Sequence, residues 1–403
     1  LEVVTPWGLP GDYWGPIWRM DMAVEESATD GDDAALSAPA AAVPGVDYST
    51  TNVQEGGVDE PDIVKTDGRY IYTLIDGALR VAEVDGDDVA VLGTDRFGDV
   101  HYSSLLLADD RLLMVGHGWT ERAFGDLASD IAYPGGSQIS TILELDVSDP
   151  SDPEVLRTLQ IDGSVVSARM VDDRVRLVTR SQPVGFVWEY PEGDGLRAER
   201  NALDANKQII RESTIDMWLP YHVLEDDVAN RETEGQLLDC DDMYLPSEPS
   251  GVSTLSILSF PLGGDGLADI WPAGLLAQGE TVYASTDSLY VATQRWVDWG
   301  VVAEDGDAEE IAEQFKTRIH KFAITGPKAR YEASGEVPGF LIGQWAMSEH
   351  EGDLRVASTT NPWGWWSSAE SESELNVLRP DGEGKLESIG QVGGMGKTET
   401  IRA

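Results

Sequence analysis

The stretch Asp109–Val115 reads DDRLLMV, and nearly the same phrase returns as DDRVRLVT at Asp172–Thr179. In each copy an acidic turn precedes a short run of apolar and β-branched residues, which is the pattern of a strand that follows a tight turn. EGDLRVAS at Glu351–Ser358 is another copy, TDSLYVAT at Thr286–Thr293 is a looser one, and KTDGRYIYTL at Lys65–Leu74 opens the series. A turn followed by a strand therefore recurs along the chain.

A second strand phrase follows the first. After the opening copy, Asp76 and Gly77 form a hairpin signal before the strand LRVAEV at Leu79–Val84. The later copies of this second phrase are TILELDV at Thr141–Val147, TLSILSF at Thr254–Phe260, TRIHKFAI at Thr317–Ile324 and ELNVLR at Glu374–Arg379. The first phrase starts near residues 67, 110, 172, 286 and 352. These spacings indicate a unit of about 40–45 residues with insertions.

A repeating unit of this length is typical of propeller blades. Each blade is a small antiparallel sheet that cannot bury its faces alone, so neighbouring blades cover them. The sequence therefore predicts an all-β fold, a β-propeller of four-stranded antiparallel blades. A pair of β-sandwiches is the alternative, and the recurring phrase with its uneven insertions favours the propeller.

Other segments depart from this pattern of strands and turns. Residues 1–50 form an acidic, Ala- and Pro-rich N-terminal segment, and its second half, residues 23–50, has the composition of a flexible linker. The propeller is therefore expected over residues 51–403. Within it, residues 181–250 predict a helical and loop insertion lying on one propeller face. A second, smaller insertion at Asp305–Phe315 (DGDAEEIAEQF) predicts one short helix.

The larger insertion contains one helical pattern and one acidic stretch. Gly195–Met217 has helix-forming composition, and Leu196, Leu203 and Ile210 recur every seven residues on one predicted face. Residues 225–243 are interpreted as an acidic loop. The prediction is a helical excursion followed by a loop.

Charge is the unusual feature of the composition. Asp plus Glu is 73 against 28 for Lys plus Arg, which gives a formal net charge of -45. A nucleic-acid binder needs a basic surface, and an anionic membrane repels an acidic one, so neither is an expected partner. No apolar run is long enough to span a bilayer, and Cys240 is the sole cysteine, so no internal disulfide can form. The acid excess is typical of proteins that work in concentrated salt, where charge repulsion is screened, and an ordinary acidic secreted protein is the alternative.

The stretch TNVQEGGVDEPDIVKTDGRYIY, Thr51–Tyr72, resembles the opening signature of one family: secreted proteins containing a C-terminal β-propeller domain distantly related to WD40 repeats. The other matching segments are STIDMWLP at Ser213–Pro220, LDCDDMYLP at Leu238–Pro246, GVSTLSILS at Gly251–Ser259, ASTDSLYV at Ala284–Val291 and KTRIHKF at Lys316–Phe322. The resemblance implies a propeller and an extracellular location, and it carries no known reaction. Family members usually continue past the segment at Gly394–Ala403 with further blades, so it also implies an incomplete or open ring here.

The acidic cluster Glu55, Asp59, Glu60 and Asp62 is the candidate metal site. Carboxylates at such spacing could present hard oxygen ligands to Ca²⁺. The alternative, which the sequence favours, is structural: Asp and Glu beside Pro61 accept hydrogen bonds from backbone N–H groups where the first blade begins, as turn carboxylates do. Calcium is therefore a possible cofactor, and no other is expected.

Tryptophans give the candidate binding surface. The clusters fall in predicted loops and consist of Trp296, Trp299, Trp363, Trp365 and Trp366. Aromatic side chains on a rigid scaffold suit recognition of a protein or a glycan, and they equally suit plugging gaps between blades. No histidine pattern indicates zinc, and no nucleophile, phosphate-loop or dinucleotide motif occurs.

These observations favour a secreted or cell-surface binding scaffold for a protein or glycan rather than an enzyme. One alternative is an extracellular hydrolase that uses two carboxylates near the propeller axis. Another is a structural protein of the cell envelope.

Overall fold

The computed structural model describes residues 53–86, 88–120, 137–193, 195–246, 251–294, 315–360, 371–399 and 401. After a short first strand, β1 (Val58–Asp59), the strands form five sheets that follow one another along the chain. We call these sheets blades I to V. Each contains four consecutive antiparallel strands at its centre, which confirms the predicted propeller.

The strands of blades I and II are as follows. Blade I consists of β2 (Val64–Thr66), β3 (Tyr70–Ile75), β4 (Ala78–Asp85) and β5 (Asp88–Asp95). Blade II consists of β6 (His101–Ala108), β7 (Arg111–Thr120), β8 (Ser137–Asp146) and β9 (Glu154–Asp162). In both blades the strands pair in chain order.

Blade III contains the insertion between its second and third strands. It begins with β10 (Ser164–Val171) and β11 (Arg174–Ser181). The inserted elements are α1 (Leu196–Glu212), β12 (Tyr221–Asp226), β13 (Arg231–Gln236) and β14 (Met243–Tyr244). The blade then continues with β15 (Thr254–Pro261) and β16 (Trp271–Leu276).

Blades IV and V repeat the simple pattern. Blade IV consists of β17 (Thr281–Ala284), β18 (Ser288–Gln294), β19 (Lys316–Ala323) and β20 (Arg330–Pro338). Blade V consists of β21 (Met347–His350), β22 (Asp353–Thr360), β23 (Glu372–Pro380) and β24 (Leu386–Met395). Four short 3₁₀ helices are also described: Ile215–Met217, Cys240–Asp242, Gly266–Ala268 and Gln344–Ala346.

The recurring turn-and-strand phrase corresponds to the second strand of every blade. In blades II, III and V the preceding turn contains two residues, and its first residue has a left-handed backbone, with φ 48° at Asp109, 55° at Asp172 and 52° at Glu351. Aspartate tolerates this conformation better than β-branched residues do, which accounts for Asp109 and Asp172, whereas glutamate at 351 has no such preference. The second phrase corresponds to the third strand. The sequence therefore repeats where two strands and their turn repeat.

One apolar cluster lies between each pair of successive blades among the described residues. Leu177 on β11 belongs to the cluster shared by blades II and III, and its neighbour Val178 belongs to the cluster shared by blades III and IV. Both are fully buried. Since central blades are covered on both faces, their strands are apolar at consecutive positions rather than at alternate ones.

The two end blades each leave one face open. Val89 and Val91 on β5 are 65% and 61% exposed, and Val392 on β24 is 57% exposed. Val337 on β20, the corresponding outer strand of blade IV, is fully buried. The described residues show no apolar cluster between blades I and V. The fold is therefore an incomplete β-propeller, as predicted.

The ends of the blades differ. The connections between second and third strands leave from one end, which we call the loop face; in blades II, III, IV and V they are residues 121–136, 182–253, 295–315 and 361–371. The turns between first and second strands lie at the opposite end, the turn face, and are two or three residues long in blades II to V. Insertions are therefore concentrated on one side of the molecule.

The insertion in blade III differs in part from its predicted form. Its helix is present, but Leu196 is 70% exposed, and the buried positions of α1 are Ala202 and Asn206. The interpretation of residues 225–243 as a loop is wrong in part, because β12 and β13 form a hairpin and β12 pairs with β9. The insertion thus extends the sheet of the neighbouring blade II. Residues 305–314, where a second helix is predicted, lie outside the described residues.

Candidate functional site: the propeller axis

The N-terminal residues of the described chain run along the inner strands of the blades. We call residues 53–62 the axial segment. Its strand β1 pairs with the end of β10 in blade III, where Val58 lies opposite Val171. Further on, Asp62 exchanges two backbone hydrogen bonds with Leu105 on the inner strand of blade II, at N···O distances of 3.1 and 2.7 Å. The segment therefore continues the hydrogen bonding of two inner strands.

The start of the axial segment contacts blades IV and V through side chains. Gln54 Nε2 donates to the carbonyls of Gln344 and Met347 at 3.0 and 2.8 Å. The hydroxyl of Tyr283, on the inner strand of blade IV, donates to Glu55 Oε1 at 2.6 Å. Burial is the main reason that the pKa of Tyr283 is raised, and the bond to Glu55 raises it further. The phenol therefore stays protonated and keeps donating.

Blade I is joined to the segment by a buried lysine. Lys65 on β2 is 4% exposed, and its Nζ lies 2.7 Å from Asp59 Oδ1 and 2.6 Å from the Glu60 carbonyl. With this pair the axial segment contacts all five blades. The segment therefore joins the inner strands of the five blades through backbone bonds, the Gln54 amide and the carboxylates of Glu55 and Asp59.

Arg169 on β10 is the centre of this arrangement. Its side chain is 2% exposed and lies beside the axial segment. Nη1 donates to Ser167 Oγ and the Ala168 carbonyl, and Nη2 donates to the Val282 carbonyl and to Gln344 Oε1, all at 2.6 Å. Burial lowers the pKa of this guanidinium.

Glu60 is the carboxylate that faces Arg169. Its Oε1 lies 3.7 Å from Arg169 Nε, and its Oε2 accepts from Gln344 Nε2 at 3.0 Å. A buried guanidinium with neutral acceptors and one carboxylate satisfies its donors without leaving a net charge in the core. This cluster connects blades III, IV and V through the axis.

A cavity of about 220 Å³ with a mixed polar and apolar lining lies next to the axial segment, between the inner strands of blades II and III. The residues that line it from blade II include Ser103, Ser104 and His117, and those from blade III include Ser164 and Ser167. Pro61 of the axial segment closes one side. The described lining contains no carboxylate, so this cavity does not supply the pair of acids that a hydrolase would need.

Both inner strands bulge where they border the cavity. The register of β6 against β7 shifts between Tyr102 and Ser104, and that of β10 against β11 shifts between Val165 and Ser167. At the loop-face end of blade II, the rings of His101 and His117 lie edge to face with centroids 5.4 Å apart. The cavity thus lies beside two strand bulges, a feature that is frequent next to binding sites.

Residues 48–403 match the family model described as the beta propeller domain. The chain belongs to this family. An uncharacterized protein of Archaeoglobus fulgidus is 24% identical over 96% of this chain, and the chain spans 62% of that relative's length. A solved structure from Bacteroides fragilis, described as a "putative 6-phosphogluconolactonase", aligns over 86% of this chain and 83% of its own, with 10% identity and a TM-score of 0.20.

The four carboxylates predicted as a calcium site in this propeller domain have separate protein partners. Glu55 accepts from Tyr283, Asp59 pairs with Lys65, Glu60 faces Arg169, and Asp62 Oδ1 accepts from the next backbone N–H at 2.6 Å. Within the described ranges, no three His, Cys, Asp or Glu side chains form a group that could hold a metal ion.

Calcium binding by these carboxylates stays a prediction. Thermal unfolding in about 1 M salt, with Ca²⁺ and after chelation, tests it, because a ligand that prefers the native state raises the midpoint. Mg²⁺ at the same concentration is the control. Equal midpoints would leave the carboxylates with the protein contacts described above.

The predicted aromatic surface cannot be placed in the same way. Trp296, Trp299, Trp363, Trp365 and Trp366 lie outside the described residues. The strands that flank them are described, and they end at the loop face in blades IV and V. No helix in the described part of the chain is long and apolar enough to cross a membrane.

Sequence reasoning missed Arg169 and the cavity. A signal for the arginine was available, because SVVSARMV places one charge inside an otherwise strand-like run, and a buried charge needs a partner. The cavity had no local signal, since it depends on two strands that come together from different blades.

Proposed function

We propose that this domain is an extracellular binding scaffold that recognises a protein or a glycan through its loop face. The observation that carries the proposal is the position of the long connections. Those of four blades, 121–136, 182–253, 295–315 and 361–371, leave from the same end, whereas no connection at the turn face of these blades is longer than nine residues. Loops held by a rigid scaffold are where binding residues concentrate.

The aromatic residues support this proposal. The connections in blades IV and V contain all five tryptophans of the predicted binding surface. Tryptophan is among the residues that contribute most to binding energy at interfaces. A ligand that spans the two connections would contact both groups.

Secretion, a distant relation to WD40 repeats and a high-salt environment are further parts of the proposal. The first two rest on the family resemblance of the axial segment and its continuation. The third rests on the net charge of -45, which concentrated salt would screen. Stability should rise steeply with KCl up to about 1 M.

The test uses one double variant, one triple variant and one control. Trp296→Ala/Trp299→Ala and Trp363→Ala/Trp365→Ala/Trp366→Ala remove the two aromatic groups. Trp271→Ala is the control, because Trp271 is 43% exposed and lies at the turn-face end of β16. Biotinylated domain is exposed to a glycan array and to cell-surface extract in about 1 M KCl.

The proposal expects a defined glycan or surface protein whose binding falls at least tenfold in one or both tryptophan variants and persists in the control. Equal binding by all variants would reject the loop face as the recognition surface. Absence of any retained glycan or protein would reject the scaffold function itself.

A further inference from the structure

We propose that the cavity between blades II and III binds a single neutral sugar ring. The proposal rests on the glycan branch of the proposed function and names the site and the chemistry of the ligand. It concerns the space lined by Ser103, Ser104, His117, Ser164 and Ser167 and closed by Pro61.

The backbone is specialised at this place. Bulges occur in the inner strands of blades II and III, on the two sides of the cavity. The described inner strands of blades I, IV and V pair with their second strands without such a shift. Bulges bend a strand and redirect its side chains, and they are frequent beside binding sites. The cavity therefore coincides with the two irregular inner strands.

The volume limits the size of the ligand. About 220 Å³ corresponds to roughly seven water molecules at their liquid volume. Sites for drug-sized ligands begin near 300 Å³. One six-membered polyol ring is therefore a suitable occupant, and a longer glycan would extend from it toward the loop face.

The lining limits the chemistry of the ligand. Its described side chains are hydroxyls, one imidazole and small apolar groups, with no carboxylate, lysine or arginine. Ser167 Oγ accepts from Arg169 Nη1 at 2.6 Å, so its own hydrogen can be donated elsewhere. Several neutral groups that both donate and accept match the hydroxyls of a sugar.

Charged ligands fit less well. A divalent cation would need hard carboxylate ligands in the lining, and an anion would have to approach a protein of net charge -45 without a lysine or arginine to receive it. A neutral polyhydroxylated ring requires neither. The lining of the cavity and the net charge therefore favour a neutral sugar over a phosphate or a metal ion.

The experiment measures binding of free D-glucose, D-galactose, D-mannose and N-acetylglucosamine by saturation-transfer NMR and titration in about 1 M KCl. Ser104→Ala/Ser164→Ala removes one hydroxyl from each wall of the cavity. Ser348→Ala is the matched control, since it lies on the inner strand of blade V. Thermal midpoints confirm that each variant is folded.

We expect at least one sugar to bind, and about a tenfold loss of affinity in the double variant, with no loss in the control. Two removed hydrogen bonds justify that factor. No binding by any of the four sugars, or equal affinity in the double variant and the control, would overturn the proposal. Loss of glycan-array or surface-protein binding in the tryptophan variants is independent of this result and reports on the loop face alone.

Discussion

Arg169 illustrates how one buried side chain can hold several blades. Its guanidinium contacts the carbonyl of Val282 from blade IV, the side chain of Gln344 before blade V, and Glu60 of the axial segment. These partners are far from Arg169 in the sequence. No contact between neighbouring residues can therefore take the place of this guanidinium. Removing the guanidinium would leave the Glu60 carboxylate without its positive partner and four neutral acceptors without this donor.

Arg169→Met should therefore destabilise the domain strongly. We expect a decrease of about 3 kcal/mol in the free energy of unfolding, since removing one partner of a buried pair leaves the other uncompensated. Arg69→Met is the control, because Arg69 forms an ion pair with Glu83 on the protein surface. Urea unfolding at constant high salt measures both. A loss no larger than that of the control would show that the axial cluster does not join the blades.

Asp162 is an acid whose environment opposes its charge. It is 7% exposed at the end of β9, and burial raises its pKa to about 6, although the backbone N–H of Gly163 lowers it partly. Between about pH 4 and 6 the folded state therefore binds more protons than the unfolded state. Stability falls as the pH rises through this window, and above pH 6 the full cost of the buried charge remains.

Asp162→Asn should remove this cost. At pH 7.5 we expect the variant to be more stable than the parent by an amount on the order of 2 kcal/mol, and at pH 4 to match it. Asp88→Asn removes the same charge from an exposed position on β5 and controls for the change in net charge. Urea unfolding at both pH values is the measurement. A variant that is less stable at pH 7.5 would contradict the inferred burial of the carboxylate.

At the scale of elements, the strands of the blades and their turns were predictable from the sequence. The β12–β13 hairpin added to the edge of blade II was not. The acidic turns at Asp109, Asp172 and Glu351 repeat because the same left-handed position repeats in three blades. The hairpin of β12 and β13 gave no such signal, since RETEGQ is polar and pairs on the edge of blade II. Its structure depends on β9, which is distant in the sequence.

Helix α1 shows why a thin apolar stripe predicts poorly which face of a helix is buried. Leu196, Leu203 and Ile210 predict one face, but α1 is attached through the face that contains Ala202 and Asn206. Asn206 is fully buried; its Oδ1 accepts from the Glu189 N–H at 2.8 Å and its Nδ2 donates to the Glu189 carbonyl at 2.9 Å. A polar residue in the sequence is thus the main anchor.

Asn206→Ala should detach the helix without unfolding the blades. Both bonds to Glu189 are lost and its backbone groups lose their partners, so we expect amide exchange in residues 196–212 to accelerate at least tenfold. Asn201→Ala is the control on the exposed side of the same helix. Hydrogen-exchange mass spectrometry distinguishes the two. Equal exchange in both variants would mean that the helix is held elsewhere.

The candidate site was predictable only in part. The axial carboxylates stood out because four acids lie close together in the sequence. The structural alternative expected backbone N–H donors, which Asp62 has, whereas Glu55, Asp59 and Glu60 face side chains. The distant partners of Glu55 and Glu60 could not be predicted, since Tyr283, Arg169 and Gln344 lie more than a hundred residues away. The local sequence reveals an unusual segment, whereas its partners come from blades that are distant in the sequence.

At the scale of the whole molecule, the open faces of blades I and V distinguish this fold from a closed ring. Leu177 and Val178 show how central blades bury both faces, whereas Val91 and Val392 turn away from the only blade that their sheet contacts in the described residues. If the faces are open in solution, valines there contribute little to stability. If another protein surface covers these faces, the valines there contribute to stability as buried core residues do.

Valine-to-alanine substitutions separate these cases. Val337→Ala, in the buried interface of blades IV and V, should cost about 1.5–3 kcal/mol of unfolding free energy. Val91→Ala and Val392→Ala, on the open faces, should each change it by less than about 0.5 kcal/mol. Urea unfolding at two protein concentrations is the measurement. A large cost at Val91 or Val392 that grows with protein concentration would show instead that the two faces meet between copies of the chain, because association stabilises the folded state by mass action.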